Sequence, residues 1–414
     1  MSNPHCTARR ITRKLLFGLA SLVLLVAIRQ SGHSQTLTTL YSFNGGTDGA
    51  FPRAGVILGT DGNLYGMAGA GSEGAGTVFE LVSGSDFEVL HNFSGTPDGE
   101  TPYGGLAFDA KGNLAGTTYG GGAYDHGTVF DMSTTGAETV LYNFPFPGPP
   151  SGVRIFRAPH GAGPGSGVVF DAQGNLYSTT SVGSYYAPAC FNCGAVFELT
   201  PAGTEKLLYS FTGAPTDGVE PGDLIIDAQG NLYGSTQQGG AANLGIVFKV
   251  IAAGEETVLH SFGASLDDGI GPLGKLLLDA EGNLYGTTVE GGANYYGTVF
   301  KLTPSGEETI LYNFGKPPDG AYPSGSLVMD GQGNLYGTTG WGGAYGWGTV
   351  FELAPGGAET ILYNFTGGTD GADPFAGLLL KDNSLYGTTY MGGNLTGCVN
   401  RYYKGCGTVF VLSF

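Results

Sequence analysis

Three short phrases recur in a fixed order along the chain, seven times each. The first is GNLYG or a near variant, beginning at Gly62, Gly112, Gly174, Gly230, Gly282, Gly333 and Asn383. The second is GTVF, GAVF or GIVF, beginning at Gly76, Gly127, Gly194, Gly245, Gly297, Gly348 and Gly407. The third is LYSF or LYNF, with His for Tyr in two copies, beginning at Leu40, Leu90, Leu141, Leu208, Leu259, Leu311 and Leu362. The units centre near residues 63, 113, 175, 231, 283, 334 and 384. A period of about 50 residues is the mark of a repeat architecture, in which each unit buries its apolar surface against its neighbours.

Each unit reads as four strands. In one of them SLVMD from Ser326, NLYGTT from Asn334, GTVFEL from Gly348 and ETILYNF from Glu359 are rich in β-branched and aromatic residues and bounded by turn residues. DGQGN and APGGAE join the first strand to the second and the third to the fourth as Gly-centred hairpin turns. A run such as TILYNF is apolar on both faces, which suits a sheet packed between two others. The ends decide the topology. Residues 36–43, TLTTLYSF, form a fourth strand with no unit before it, and residues 407–414, GTVFVLSF, form a third strand with no fourth after it. Pairing the two closes a ring and removes two open sheet edges. The expectation is an all-β, seven-bladed β-propeller of four-stranded blades, closed by the N-terminal strand, with an open β-solenoid as the alternative.

Composition fits this reading. The 77 glycines follow no three-residue period, which excludes collagen, and 41% hydrophobic residues can fill a core. Glycine is expected where blades converge near the axis and backbones approach closely. The first 34 residues stand apart. Arg9, Arg10, Arg13 and Lys14 precede the apolar run Leu15 to Ile28, and a short polar stretch follows. This is the order of a secretory signal, and the run is short for a membrane span. Residues 1–34 therefore read as a signal peptide and 35–414 as one propeller domain, with an uncleaved anchor as the alternative. Loss of the leader removes five positive charges, taking the net charge from −18 to −23. Such a chain lacks the basic footprint of a nucleic-acid binder. The expected location is outside the cytoplasm: extracellular, cell-surface or periplasmic. The four remaining cysteines read as two disulfides, Cys190–Cys193 and Cys398–Cys406, each within one loop.

The composite phrase GNLYGTT, GG, GTVF, ETxLYNF, DGxxP resembles the GloVer tandem repeat of exported bacterial proteins, over nearly all of residues 36–414. The resemblance implies an exported repeat propeller and brings no catalytic residues with it. A weaker likeness links DxxGNLYG to propeller lactonases and lyases, through a strand–turn–strand feature that transfers no activity.

Parity in a four-stranded meander puts the loops between second and third strands on one face, together with the crossings from each fourth strand to the next blade. Those loops vary between units, and variable loops on a rigid scaffold are where binding usually sits. They carry Tyr119, Tyr124, Tyr185, Tyr186, Tyr295, Tyr296, Trp341, Tyr345, Trp347, Tyr390, Tyr402 and Tyr403. Flat rings with a polar tip suit the apolar faces and hydroxyl edges of sugars, or a protein surface. The bland reading is that the rings pack among themselves. The crossings carry DGxxP at Asp48, Asp98, Asp217, Asp268, Asp319 and Asp370, read as turns in preference to a cation-attracting ring. No calcium-loop pattern appears, so no metal or other cofactor is expected, and a Ca²⁺ at the axis is the alternative. One crossing, residues 145–167, lacks the motif and adds Arg154, Arg157 and His160. Asp125 and His126 lie in the preceding loop, so these five could meet on one face. His91 and His260, which replace the repeat's tyrosine, read as packing residues. The leading expectation is a monomeric binding or scaffold module for glycan or protein. The alternatives are a propeller hydrolase or lyase using Asp125, His126 and His160, and a purely structural envelope component.

Overall fold

The computed structural model describes residues 35–69, 74–82, 86–145, 161–182, 190, 193–265, 267–398 and 404–414. The signal reading of residues 1–34 lies outside them. Seven antiparallel blades of four strands follow one another around a ring; in blades four and five a crossing segment, Gly218–Pro221 or Gly269–Pro272, pairs as a fifth strand, and the described residues contain no helix. No helix among them is long and apolar enough to cross a membrane.

Blade six shows the plan, with strands at Val328–Met329, Leu335–Thr339, Thr349–Leu353 and Glu359–Asn364. The second strand is buried along its whole length, as a sheet covered on both faces requires. The first strand is shorter than the sequence suggested. Only Val328 and Met329 pair with the second strand, because the preceding residues turn to meet the neighbouring blade. A Cβ at Gly325 would lie 2.6 Å from the Ala376 carbonyl oxygen of that blade, so no larger residue fits there. Hydroxyls of the second strands stitch such seams: Thr338 Oγ1 donates to Ala376 O at 3.0 Å between blades six and seven, and Thr388 Oγ1 to Ala54 O at 3.1 Å between blades seven and one.

The ring closes as the repeat arithmetic requires. Thr36–Ser42 pairs with Thr408–Ser413, from Thr36 opposite Ser413 to Ser42 opposite Thr408, and completes blade seven.

Between blades, one contact repeats without exception. The Phe that ends LYNF packs edge-on against the Phe of GTVF in the following blade, with centroids 4.9–5.4 Å apart: Phe43–Phe79, Phe93–Phe130, Phe144–Phe197, Phe211–Phe248, Phe262–Phe300, Phe314–Phe351 and Phe365–Phe410. All of them are buried. Such pairs add about 0.5–1.5 kcal/mol beyond the area they bury. The glycine that ends GNLYG belongs to the same contact. A Cβ at Gly337 would stand 2.6 Å from the Phe351 ring, so the ring occupies the place of a side chain.

The polar letters of the phrases hold the turns. Asp330 accepts from Asn334 Nδ2 at 2.8 Å and from Tyr336 Oη at 3.0 Å, which fixes the turn before the second strand. The DGxxP aspartates do the same on the other face. Asp319 accepts from Tyr312 Oη at 3.0 Å and from the backbone N–H of Gly315 and Gly320. The turn reading of this motif accounts for its carboxylates.

Candidate functional site

Among the described residues nine large apolar side chains are exposed, and eight share one face: Tyr119, Tyr124, Tyr295, Trp341, Tyr345, Trp347, Phe375 and Leu395. They sit in the loops between second and third strands or in a crossing. The ninth, Leu141, lies on an outer strand. The short turns of the opposite face contribute none.

Four of the loops, in blades two, four, five and six, share a GGAxxxG frame that explains which rings point out. The alanine N–H donates back to the third letter of LYNF or LYSF: Ala123 to Asn143 Oδ1, Ala241 to Ser261 Oγ, Ala293 to Asn313 Oδ1 and Ala344 to Asn364 Oδ1, at 2.7–2.9 Å. The next position is thrust outward and holds Tyr124 and Tyr345, 55% and 62% exposed. The position after it is left-handed, with φ of 62° at Asp125, 59° at Asn243, 63° at Tyr295 and 80° at Gly346. Gly and Asn accept that conformation readily, and a bulky residue there is uncommon. Tyr295 holds it while 61% exposed. The last variable position turns inward. Tyr296 is half-buried, with its ring 6.0 Å from that of Tyr322. Trp347 lies over Gly367 and keeps 40% of its surface. Trp341, 57% exposed, is held in register by pairing with Ala321 of the crossing.

The same face opens into an axial cavity of about 850 Å³, lined in every blade by the residues leading into the first strand, and in four blades by Ile57, Ile225, Leu277, Leu278 and Val328 of the first strands themselves. At its mouth the Arg53 guanidinium stacks over Tyr103 at 4.2 Å and faces Tyr390 at 5.5 Å. Tyr103 meets Tyr119 at 5.7 Å, and Phe51 meets Tyr390 at 5.2 Å. Deeper in, Asp223 accepts from the Gly167 N–H at 2.7 Å, and Lys275 contributes a positive charge to the lining.

Arg53, Tyr103 and Phe375 were not singled out from the sequence. Each follows the proline of a crossing, a position that differs from unit to unit, and that variability was the available signal. The residue before each proline is left-handed in all seven crossings: Phe51, Thr101, Gly163, Glu220, Gly271, Tyr322 and Asp373, with φ between 53° and 65°. Two crossings use glycine and five do not, although a pre-proline residue normally prefers extended backbone. Burial pushes the Asp373 carboxyl up to about 6.

The other candidates divide. Asp125 is exposed and His126 half-buried, and the His126 carbonyl accepts from Gly163 N–H at 2.9 Å. Arg154, Arg157, His160, Tyr185, Tyr186, Tyr402 and Tyr403 lie outside the described residues. Both disulfides form as expected, Cys190–Cys193 and Cys398–Cys406, and Cys193 and Cys406 are fully buried. His91 and His260 pack edge-on against Phe93 and Phe262, as their packing role requires. Each also faces the aspartate of its crossing, a contact the sequence reading did not include. His91 Nε2 lies 3.1 Å from Asp98 Oδ2.

Comparison with known proteins follows the architecture. The extracellular domain of a protein from B. thetaiotaomicron, described as a one-component system, is similar with a TM-score of 0.53 at 10% identity. The match covers 90% of this chain, which spans 39% of that one. A second structure of an extracellular domain from B. thetaiotaomicron, described as part of a hybrid two-component system, gives 0.53 at 11% identity, over 91% of this chain and 39% of that one. These two likenesses are likenesses of fold. A gluconolactonase from Xanthomonas campestris gives 0.43 at 15% identity, over 74% of this chain and 87% of that one. No curated protein matches the sequence. The family model described as the Gloeobacter/Verrucomicrobia repeat matches twice, at residues 26–152 and 148–332. With most of its length so matched, the chain belongs to the Gloeobacter/Verrucomicrobia repeat family.

Proposed function

We propose that this protein is an exported binding module that holds carbohydrate on the face bearing the loops between second and third strands. The observation that carries the reading is the one-sidedness of the exposed apolar groups: among the described residues, eight of nine exposed large apolar side chains, seven of them aromatic, lie on one face of the propeller. Tyr and Trp give a sugar ring an apolar plane with a hydrogen-bonding edge, at little cost in side-chain freedom. The left-handed residues point the same way. Tyr295 and the pre-proline Phe51, Glu220, Tyr322 and Asp373 occupy a backbone region that sister units fill with glycine. Strain of this kind gathers at ligand sites. The two disulfides support export, since such bonds persist in oxidising compartments.

Affinity electrophoresis through gels containing soluble polysaccharides tests the reading. Retardation by at least one polysaccharide is expected, and Trp341→Ala with Tyr345→Ala should weaken it by roughly 10-fold or more, the scale of losing stacked aromatic anchors. Retardation that survives both changes contradicts the assigned surface. Absence of retardation on every polysaccharide, with a protein retained on the same face, replaces glycan by protein as the ligand.

A further inference from the structure

The seam between blades four and five carries a cluster that the aromatic face does not use. His260 lies on the fourth strand of blade four, Glu256–Ser261, and Asp268 in the crossing after it. Glu308 opens the fourth strand of blade five, Glu308–Asn313. His260 Nε2 stands 3.6 Å from Glu308 Oε2 and 3.8 Å from Asp268 Oδ1. The side chains are 14%, 15% and 3% exposed for His260, Glu308 and Asp268.

His260 Nε2 has no hydrogen-bond partner, and neither has Glu308 Oε1, an atom left bare at Glu138, Glu256 and Glu359 of sister blades as well. Leaving buried polar atoms bare is costly. Direct contact does not satisfy them, because 3.6 and 3.8 Å are too long for a hydrogen bond. These separations come close to those of ligands that share one small cation, and the three donor atoms all lie within 4.8 Å of one another. With metal–ligand bonds of about 2.0–2.2 Å, tetrahedral donor atoms stand roughly 3.3–3.6 Å apart.

Sister seams show what is special here. Blades three and five carry tyrosine at the His260 position, and Tyr209 and Tyr312 donate to Asp217 and Asp319 at 2.9 and 3.0 Å. After blade one His91 comes within 3.1 Å of Asp98. At the His260 seam no such bond closes. Asp268 keeps only the backbone N–H anchors of the kind Asp217 and Asp319 also have, with Gly263 and Ala264 on Oδ2 and Gly269 on Oδ1. Those bonds fix the carboxylate in place, as the outer partners of a metal ligand do.

We propose that His260, Asp268 and Glu308 bind one divalent first-row transition ion, such as zinc, as a staple between blades four and five. An imidazole nitrogen with two carboxylates suits zinc and its neighbours, whereas calcium and magnesium take oxygen donors. The ligands come from two blades, so the site exists only in the folded ring. The ion therefore stabilises the fold by mass action.

Calorimetric titration of zinc chloride into the full chain, previously stripped with a chelator, tests the site alongside the unfolding temperature. One equivalent should bind through this cluster and raise the unfolding temperature, and a chelator should reverse the rise. His260→Tyr installs the residue that blades three and five carry, so the ring should fold, and the cluster's binding and the rise should vanish. Glu308→Gln should weaken affinity by at least ~10-fold, since even outer partners of a metal ligand cost that much. His91→Tyr should change neither readout. No zinc uptake by the wild type, or uptake and stabilisation unchanged in His260→Tyr, overturns the proposal.

Discussion

Phe43 meets Phe79 edge to face, with centroids 5.4 Å apart, and this pair locks the first described strand onto the first blade. Phe43 belongs to the strand that completes blade seven, so the contact spans the seam where the ring closes. Six equivalent pairs join the other blades. Phe43→Ala should destabilise the protein by about 3–5 kcal/mol, the usual cost of emptying a buried aromatic site. It should cost as much as Phe314→Ala at an internal seam. Chemical denaturation of both variants checks this, and a markedly milder effect at Phe43 would mean that the closing seam contributes little.

A gap in the hydroxyl ladder gives a stabilising prediction. Thr118, Thr288, Thr339 and Thr389 each pair with a threonine of the third strand at 2.8–2.9 Å. In blade one the corresponding residue is Ala68, opposite Thr77, and Thr77 Oγ1 is buried with no partner. Ala68→Thr should restore the pair and add about 1 kcal/mol, the net worth of one hydrogen bond. A raised denaturant midpoint in blade-one Ala68→Thr is the expected result.

Half-buried glutamates that open the fourth strands set a pH dependence. Burial, with the crossing aspartate nearby, pushes Glu138, Glu256 and Glu359 up to about 7. Unfolded, the same groups titrate near 4.5. Between these values the folded chain holds more protons than the unfolded one, so stability falls as pH rises through that window. The unfolding temperature should be higher at pH 5 than at pH 8. The double variant Glu256→Gln with Glu359→Gln should show a smaller difference. An equal slope in wild type and variant would remove these groups as the cause.

Tyr295 should show a trade between stability and binding. It sits at φ 63°, where the sister loops of blades four and six place Asn243 and Gly346. Tyr295→Asn should gain about 1 kcal/mol by relieving left-handed strain. The same change removes an exposed ring and should weaken carbohydrate retention in affinity gels. Stability gained without loss of retention would show that Tyr295 takes no part in binding.

The repeat phrases carried the architecture because each letter has a partner close in sequence or in the next unit. LYNF reads fully in hindsight: Tyr312 bonds Asp319, Asn313 bonds the Ala293 N–H, and Phe314 packs on Phe351. Strand number, ring closure and both disulfides followed from counting. The cavity mouth did not. Arg53, Tyr103 and Tyr390 belong to three blades, and only closure of the ring brings them together. Among the rim aromatics, parity gave the face but not the direction of each side chain. Tyr295 and Tyr296 are adjacent in sequence, yet one is 61% exposed and the other half-buried, because the left-handed turn reverses the chain between them. His260 passed for a packing residue because Glu308 reaches it from the next blade.

Both tryptophans of the protein, Trp341 and Trp347, lie on the proposed binding face, so intrinsic tryptophan fluorescence reports on that surface alone. Titration of a polysaccharide that retards the protein in affinity gels should shift the emission to shorter wavelength and saturate, as the rings leave water. Binding by that polysaccharide with an unchanged emission spectrum at saturation would contradict the placement of the site.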